Sequence, residues 1–252
     1  MKKYITFDLD GTLMQNPFVS YVFPEIEDIA KEKGVEDVSV KQLLVQEHNK
    51  RMGDGRIVDA YNWDDIVTKL FDSMNLAWNT EIEQLVKNHA TEGKVYLLDE
   101  EVIPVLEQLR TEGYTLVAAT NGFLKYQLPV MDFLSLTPKF DHMLTPDITG
   151  YAKPDARMLN SLFTDGQIVA HVGDRVDHDV YMANASGWNS IFITSTLPAP
   201  LLNRTPQERP LLMKEAFQKK WVTENHAAKD FHPQLGVPNL VIGSVSELLH
   251  VL

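Results

Sequence analysis

The chain has 252 residues, 44% of them hydrophobic and 23% charged, as in an ordinary globular protein of one large domain or one domain with an insertion. A net charge of −12 argues against nucleic acid or an anionic membrane as a partner. The lack of cysteine excludes disulfides, thiolate metal sites and cysteine nucleophiles.

The first predicted element is a strand over residues 4–7, whose unbroken aromatic and β-branched run is typical of a strand buried on both faces of a parallel sheet. Asp8 and Asp10 follow it directly, then Gly11 and Thr12. Two carboxylates at the end of a buried strand repel each other and lose solvation unless a cation lies between them. Asp and Gly are also common turn residues, so this stretch alone leaves both a cation site and a simple turn open.

The acids come too early for the apolar region of a signal peptide, and no later stretch reaches the ~18 apolar residues of a membrane span. We therefore expect a cytoplasmic protein.

Residues 14–99 show little strand character. Helices are predicted in four stretches of this block: 18–30 with a kink or restart at Pro24, 40–52, 59–74 and 80–91. A helical block directly after the first strand is what an inserted domain would look like.

Strands and helices alternate from residue 100 onward. Strands are predicted over Tyr114–Ala119, 140–144, 168–172, 190–194 and Leu240–Ile242, with helices between them over 100–110, from 123, and over 155–163, 176–186 and 244–249. This alternation predicts an α/β protein with a mainly parallel sheet. Residues 197–238 are rich in proline, and a helix over 211–221 is expected to pack on the core rather than serve as a partner-binding arm.

Polar side chains follow several of the later strands. They are Thr120, Lys153, Asp174, Asp177 and Asp179. Each has a simpler interpretation, as a helix cap, a solvated lysine or acids that start a helix. Because parallel strands end on one edge of a sheet, the whole set is expected to converge near Asp8 and Asp10.

Four motifs in order resemble those of the haloacid dehalogenase-like hydrolase superfamily, over nearly the whole chain. They are FDLDGTL at 7–13, VAATNG at 117–122, AKPD at 152–155 and GDRVDHD at 173–179. The resemblance implies a Rossmann-like core of residues 1–13 and 100–252, with residues 14–99 as a helical cap domain over the site.

By this resemblance, Asp8 would be the nucleophile that forms an aspartyl-phosphate, and Asp10 would protonate the leaving alcohol and then activate water. Thr120, Asn121 and Lys153 would bind the phosphate.

The metal would be Mg²⁺, held by Asp8, Asp174 and the backbone carbonyl of Asp10. Asp179 would orient Lys153 or the water shell of the metal. Two residues depart from the pattern: Arg175 stands where a small hydroxyl residue is common, and His178 where asparagine is common.

The second acid bears on the reaction, since haloacid dehalogenases typically lack an aspartate two positions after the nucleophile. Asp10 therefore favours Mg²⁺-dependent hydrolysis of a small phosphorylated metabolite. A phosphomutase of the same superfamily and a non-catalytic protein that binds a phosphorylated metabolite remain alternatives.

His171, on a buried strand, is expected to be a hydrogen-bonded core residue rather than a ligand. Four aromatic residues are expected to form the core of the helical block, with one or two free to face a substrate: Tyr61, Trp63, Phe71 and Trp78.

Overall fold

The computed structural model describes residues 1–225 and 230–252. The strands of this part are β1 (Lys2–Phe7), β2 (Met14–Gln15), β3 (Tyr96–Leu97), β4 (Tyr114–Ala119), β5 (His142–Leu144), β6 (Gly166–Gly173), β7 (Asn189–Ile193) and β8 (Leu240–Ile242). Six of them form one parallel sheet in the order β5-β4-β1-β6-β7-β8. This Rossmann-like α/β arrangement confirms the predicted fold class.

Strand β1 lies at the centre of the sheet, between β4 and β6. Ile5 and Phe7 pack into a hydrophobic cluster on one face, whereas Tyr4 packs into a second cluster on the other face. Both faces of β1 are therefore buried, which is why its apolar residues run without alternation. The carboxyl ends of β1, β4 and β6 meet at one edge, and this edge positions the polar residues that follow them.

Helices cover both faces of the sheet. Those after residue 100 are α6 (Val102–Thr111), α7 (Leu124–Phe133), α8 (Pro146–Thr149), α9 (Tyr181–Ser186), α10 (Arg209–Leu212), α11 (Lys214–Glu224), α12 (Pro233–Gly236) and α13 (Leu248–Val251), numbered after the five of the preceding block. Two predicted helices differ from expectation: Ala156–Thr164 is a 3₁₀ helix, and the segment over 176–186 begins with a wider turn, Val176–Val180, before α9. The turn is wide because the carbonyl of Arg175 accepts hydrogen bonds from the backbone N–H groups of both Asp179 and Val180.

The segment 14–99, called here the helical insert, contains α1 (Phe23–Glu32), α2 (Val40–Gly53), α3 (Ile57–Ala60), α4 (Trp63–Ser73) and α5 (Ile82–His89). Pro24 lies in the first turn of α1, so it restarts the helix as predicted. The single helix expected over 59–74 is two helices, because the Asn62 side chain caps α4 by accepting a hydrogen bond from the Asp65 N–H at 3.2 Å. Strands β2 and β3 pair antiparallel, so the chain enters and leaves the insert side by side.

The helix predicted over 211–221 of the proline-rich segment 197–238 is divided between α10 and α11, and α11 packs on the core as predicted. Phe217 and Trp221 of α11 are buried against Val176 and Phe192 in a third hydrophobic cluster. The part of the segment from 226 to 229 lies outside the described residues. Among the helices that the structure describes, none is both long and apolar enough to cross a lipid bilayer.

Candidate active site

Lys153 is the centre of the charged site at the carboxyl edge of the sheet. Its Nζ lies 2.6 Å from Asp8 Oδ1 and 2.7 Å from Asp179 Oδ1, and the side chain is 2% exposed. Burial by itself would lower the pKa of the lysine, but Asp179 and Asp8 outweigh it and raise this pKa above its usual value. The lysine is therefore a fixed positive charge beside Asp8, not the solvated residue of the simpler interpretation.

Asp179 is held by a chain of buried hydrogen bonds. Its Oδ1 lies 3.0 Å from His171 Nε2, and His171 Nδ1 lies 2.7 Å from Thr6 Oγ1. Burial would raise the pKa of Asp179, but Lys153 and His171 lower it below its usual range. Both ring nitrogens of His171 have partners, which confirms the prediction of a hydrogen-bonded core histidine and gives it a role in supporting Asp179.

Carboxylate oxygens of Asp8, Asp174 and Asp179 lie within 4.8 Å of one another. Burial raises the pKa of Asp8 to about 6, against the opposing charge of Lys153. Burial, with the charges of Asp8 and Asp179, raises the pKa of Asp174 to about 8. Asp174 packs closely against the backbone of Gly11, since a Cβ on Gly11 would lie 2.8 Å from Asp174 Oδ2. Lys153 contacts Asp8 and Asp179 but not Asp174, so this group of hard oxygen donors fits an additional cation.

Asp10 is held by a hydrogen bond from Gln127. Burial raises its pKa, while a hydrogen bond of 2.7 Å from Gln127 Nε2 to Asp10 Oδ2 opposes the rise. The Gln127 side chain passes so close to Gly122 that a Cβ there would lie 2.0 Å from Gln127 Nε2. Sequence reasoning missed Gln127. The available signal was a polar residue on the buried face of α7, one turn before Val130.

Thr120 and Asn121 follow β4 and are both buried. The Thr120 hydroxyl accepts a hydrogen bond from the Gly122 N–H at 3.2 Å, which tightens the turn ahead of α7. The Asn121 side chain accepts from the backbone N–H of Lys153 at 2.7 Å and donates to its carbonyl at 3.0 Å. Asn121 thus fixes the backbone from which Lys153 reaches Asp8.

These groups line one cavity of about 390 Å³, between the edge of the sheet and the helical insert. Its lining includes the predicted residues Asp8, Asp10, Thr120, Asn121, Lys153 and Asp174. Asp179 lies behind Lys153 and is not part of the lining. From the insert, Tyr61 and Trp63 face the cavity, whereas Phe71 and Trp78 pack on each other with ring centroids 4.7 Å apart.

A family model described as haloacid dehalogenase-like hydrolase matches residues 2–187. The chain belongs to this family. It is an enzyme of hydrolase type, and its Rossmann-like sheet is the fold of that family.

Individual relatives are distant but cover most of this hydrolase. It is 26% identical over 201 residues to a probable phosphatase, IndB, of Dickeya dadantii, a match that spans 77% of this chain and 82% of the relative. It is 25% identical over 202 residues to a phosphoglycolate phosphatase of Aliivibrio fischeri, over 76% of this chain and 84% of the relative. The solved structure of a haloacid dehalogenase-family phosphatase from Thermococcus onnurineus superimposes with a TM-score of 0.67 at 21% identity, over 100% of this chain and 97% of the other.

Beyond the region that the family model matches, α11 brings Glu224 to the cavity of this hydrolase. Glu224 Oε2 accepts a hydrogen bond from the Val176 N–H at 2.8 Å, and its backbone carbonyl accepts from Arg175 Nη2 at 3.3 Å. Arg175 also forms a two-point ion pair with Asp177, at 3.0 and 2.9 Å. Burial lowers the pKa of His178 to about 3, so this ring is neutral at pH 7. The sequence pattern contains no signal that Glu224 would reach this site.

Proposed function

We propose that the chain hydrolyses a small phosphate monoester in a Mg²⁺-dependent reaction that proceeds through an aspartyl-phosphate on Asp8. The observation that carries the proposal is the position of Lys153, which contacts Asp8 at 2.6 Å in the same cavity as the second acid, Asp10. The distant relatives named as phosphatases support the same reaction class.

In this proposal Asp8, Asp174 and the backbone carbonyl of Asp10 hold the metal. The raised pKa values of Asp8 and Asp174 support this, because they reflect buried negative charge that the surrounding cations do not balance. When bound, Mg²⁺ supplies positive charge that offsets the repulsion between the carboxylate and a phosphate of charge about −1.5 to −2.

Asp8 attacks phosphorus, and the bond from phosphorus to the ester oxygen breaks. Lys153, Thr120 and the backbone N–H of Asn121 bind the phosphoryl oxygens, and the lysine offsets the charge that develops on them. Asp179 keeps the Lys153 ammonium in place through the bond of 2.7 Å.

Asp10 delivers a proton to the leaving oxygen and later removes one from the water that hydrolyses the aspartyl-phosphate. Burial raises its pKa, so it is better able to carry that proton near neutral pH than an exposed aspartate is. Gln127 orients the carboxylate by its hydrogen bond to Oδ2.

We further propose that residues 14–99 form a separate cap domain, with core residues 1–13 and 100–252, and that the cap excludes water during the first step.

The test is release of inorganic phosphate from a panel of phosphate esters, with and without Mg²⁺. We expect release that requires Mg²⁺ and that Asp8→Asn abolishes, whereas Asp54→Asn, at an exposed acid of the insert, retains it. An acid-quench experiment with ³²P-labelled ester should trap labelled protein in the wild type but not in Asp8→Asn. Absence of release from every ester, by a folded protein that binds Mg²⁺, would overturn the proposal. Transfer of phosphate between sugar positions without release would indicate a mutase.

A further inference from the structure

The side of the cavity formed by the helical insert is aromatic. Phe18, Phe23, Tyr61 and Trp63 line it, together with Tyr126 from α7, and we call these five residues the aromatic wall. The ring centroids of Phe23 and Trp63 are 4.8 Å apart, and those of Phe18 and Tyr126 are 5.6 Å apart. Packed rings of this kind form a rigid apolar surface.

Phe18, Phe23 and Tyr126 are buried in the main hydrophobic cluster, so the exposed surface of the aromatic wall comes from Tyr61 and Trp63. Phe71 and Trp78 form a ring pair that does not line the cavity. Tyr61 and Trp63 do line it, and both are partly exposed. The Tyr61 hydroxyl lies close to Asn121 and Arg175, so the wall begins directly beside the proposed phosphate-binding residues.

The charges of the cavity disfavour a second anionic group on the substrate. In the part of the chain that the structure describes, the lysine and arginine side chains of the lining are Lys153 and Arg175. Lys153 is paired with two carboxylates, and Arg175 is held by both oxygens of Asp177. Among the described residues, four acidic side chains line the same cavity against these two bases, so a carboxylate on the leaving group would meet net negative charge.

From these observations we propose that the preferred substrate is a phosphate monoester whose leaving alcohol carries a planar aromatic or heteroaromatic ring and no second anionic group. The ring packs on the aromatic wall while the phosphate lies at Lys153. A cavity of about 390 Å³ is near the lower end of the range for small-molecule sites, which suits one phosphoryl group and one ring system. This inference rests on the proposed phosphatase activity and gives it a substrate class.

Four esters separate the requirement for a ring from the requirement that no second anionic group is present. Ethyl phosphate has neither a ring nor a carboxylate, and benzyl phosphate has only the ring. 4-Carboxybenzyl phosphate has the ring and a carboxylate, and phosphoglycolate has only the carboxylate. We expect kcat/KM to be at least about tenfold higher for benzyl than for ethyl phosphate, because stacking on an aromatic side chain is worth roughly that factor. The added carboxylate of 4-carboxybenzyl phosphate should reverse most of this gain.

The variant Trp63→Leu should lower the ratio of kcat/KM for benzyl over ethyl phosphate by about tenfold. Trp188→Leu, which removes a tryptophan from the far side of the sheet, should leave this ratio unchanged. A ratio measured on one preparation does not depend on the fraction of folded protein.

Equal rates for benzyl and ethyl phosphate, or a preference for phosphoglycolate, would overturn the inference while phosphate release itself upheld the proposed function. Release from none of the four esters, nor from any of the wider panel, would instead overturn the proposed function.

Discussion

Removal of the Gln127 amide should reduce activity far more than stability. In Gln127→Leu, Asp10 loses the hydrogen bond of 2.7 Å to its Oδ2. A buried bond from an amide to a charged acceptor is worth roughly 1.5–3 kcal/mol, which corresponds to a loss of about ten- to hundredfold in kcat/KM if the bond matters fully in the transition state.

The effect on folding should be small because the same amide is only half satisfied. Gln127 Oε1 is buried and has no hydrogen-bond partner among the described residues. A buried acceptor without a partner costs roughly 1–3 kcal/mol, so the leucine removes a penalty together with the favourable bond. We expect the free energy of unfolding to change by less than about 1 kcal/mol, because leucine also fills a similar volume.

Gly122 provides an independent way to move the same amide. A Cβ at position 122 would lie 2.0 Å from Gln127 Nε2, 2.9 Å from Cδ and 3.1 Å from Cγ. The methyl group of Gly122→Ala must therefore displace the flexible end of Gln127 from Asp10, and we expect a similar loss of activity. In a Gln127→Ala background these three atoms are gone, so Gly122→Ala should change activity by less than about twofold.

The assay is a double-mutant cycle of kcat/KM with urea unfolding of each variant. Loss of the Gln127 donor should also raise the pKa of Asp10 further, because the bond favours the charged carboxylate. The alkaline limb of the kcat/KM profile should then move to higher pH if Asp10 donates a proton. Full activity of Gln127→Leu, or an equal penalty for Gly122→Ala in both backgrounds, would refute the reasoning.

Three further predictions concern stability, the loop after β6 and the metal. Arg209 is buried and contacts Glu247 at 2.6 and 2.9 Å, so Arg209→Met should lower the free energy of unfolding by about 2–4 kcal/mol at pH 7. Arg209 lowers the pKa of Glu247, although burial of the carboxylate acts in the opposite direction. The stability that the ion pair contributes is therefore full above the unfolded pKa of about 4.3 and is lost as pH falls through the folded pKa. Urea titrations should show a smaller difference between wild type and variant at pH 3 than at pH 7. Glu224→Ala removes the acceptor of the Val176 N–H, and steady-state kinetics should show kcat/KM reduced by about tenfold. An unchanged kcat/KM would mean that the loop after β6 keeps its conformation without this hydrogen bond. Mg²⁺ at 100 times its Kd should stabilise the protein by about 2.7 kcal/mol in calorimetry, and Asp174→Asn should remove most of this shift if Asp174 is a ligand.

Strand positions and the edge where polar residues gather were predictable from local sequence. The predicted bounds of the strands Tyr114–Ala119 and Leu240–Ile242 are those observed, because a strand buried on both faces leaves an unbroken apolar run. Asp8, Thr120 and Asp174 each follow a strand of the parallel sheet, and parallel strands bring their carboxyl ends to one edge whatever lies between them.

Helix boundaries were less predictable where a single polar contact decides them. The apolar spacing over 59–74 fits one helix, yet the Asn62 cap divides it into α3 and α4. The segment after Arg175 has helical spacing, but two N–H groups share one carbonyl and widen its first turn. Side chain and backbone compete for the same hydrogen bonds at such points, and apolar periodicity does not record which of them prevails.

The sequence by itself determined the sheet, the order of the four motifs and the residues placed at the strand ends, since these depend on short runs of neighbouring residues. Only the tertiary structure decided which other side chains complete the site. Gln127 meets Asp10 across 117 positions, and Glu224 meets Val176 across 48. The aromatic wall likewise combines the insert with α7. Such contacts follow from how packed elements approach one another, and their residues have no fixed spacing along the chain to mark them.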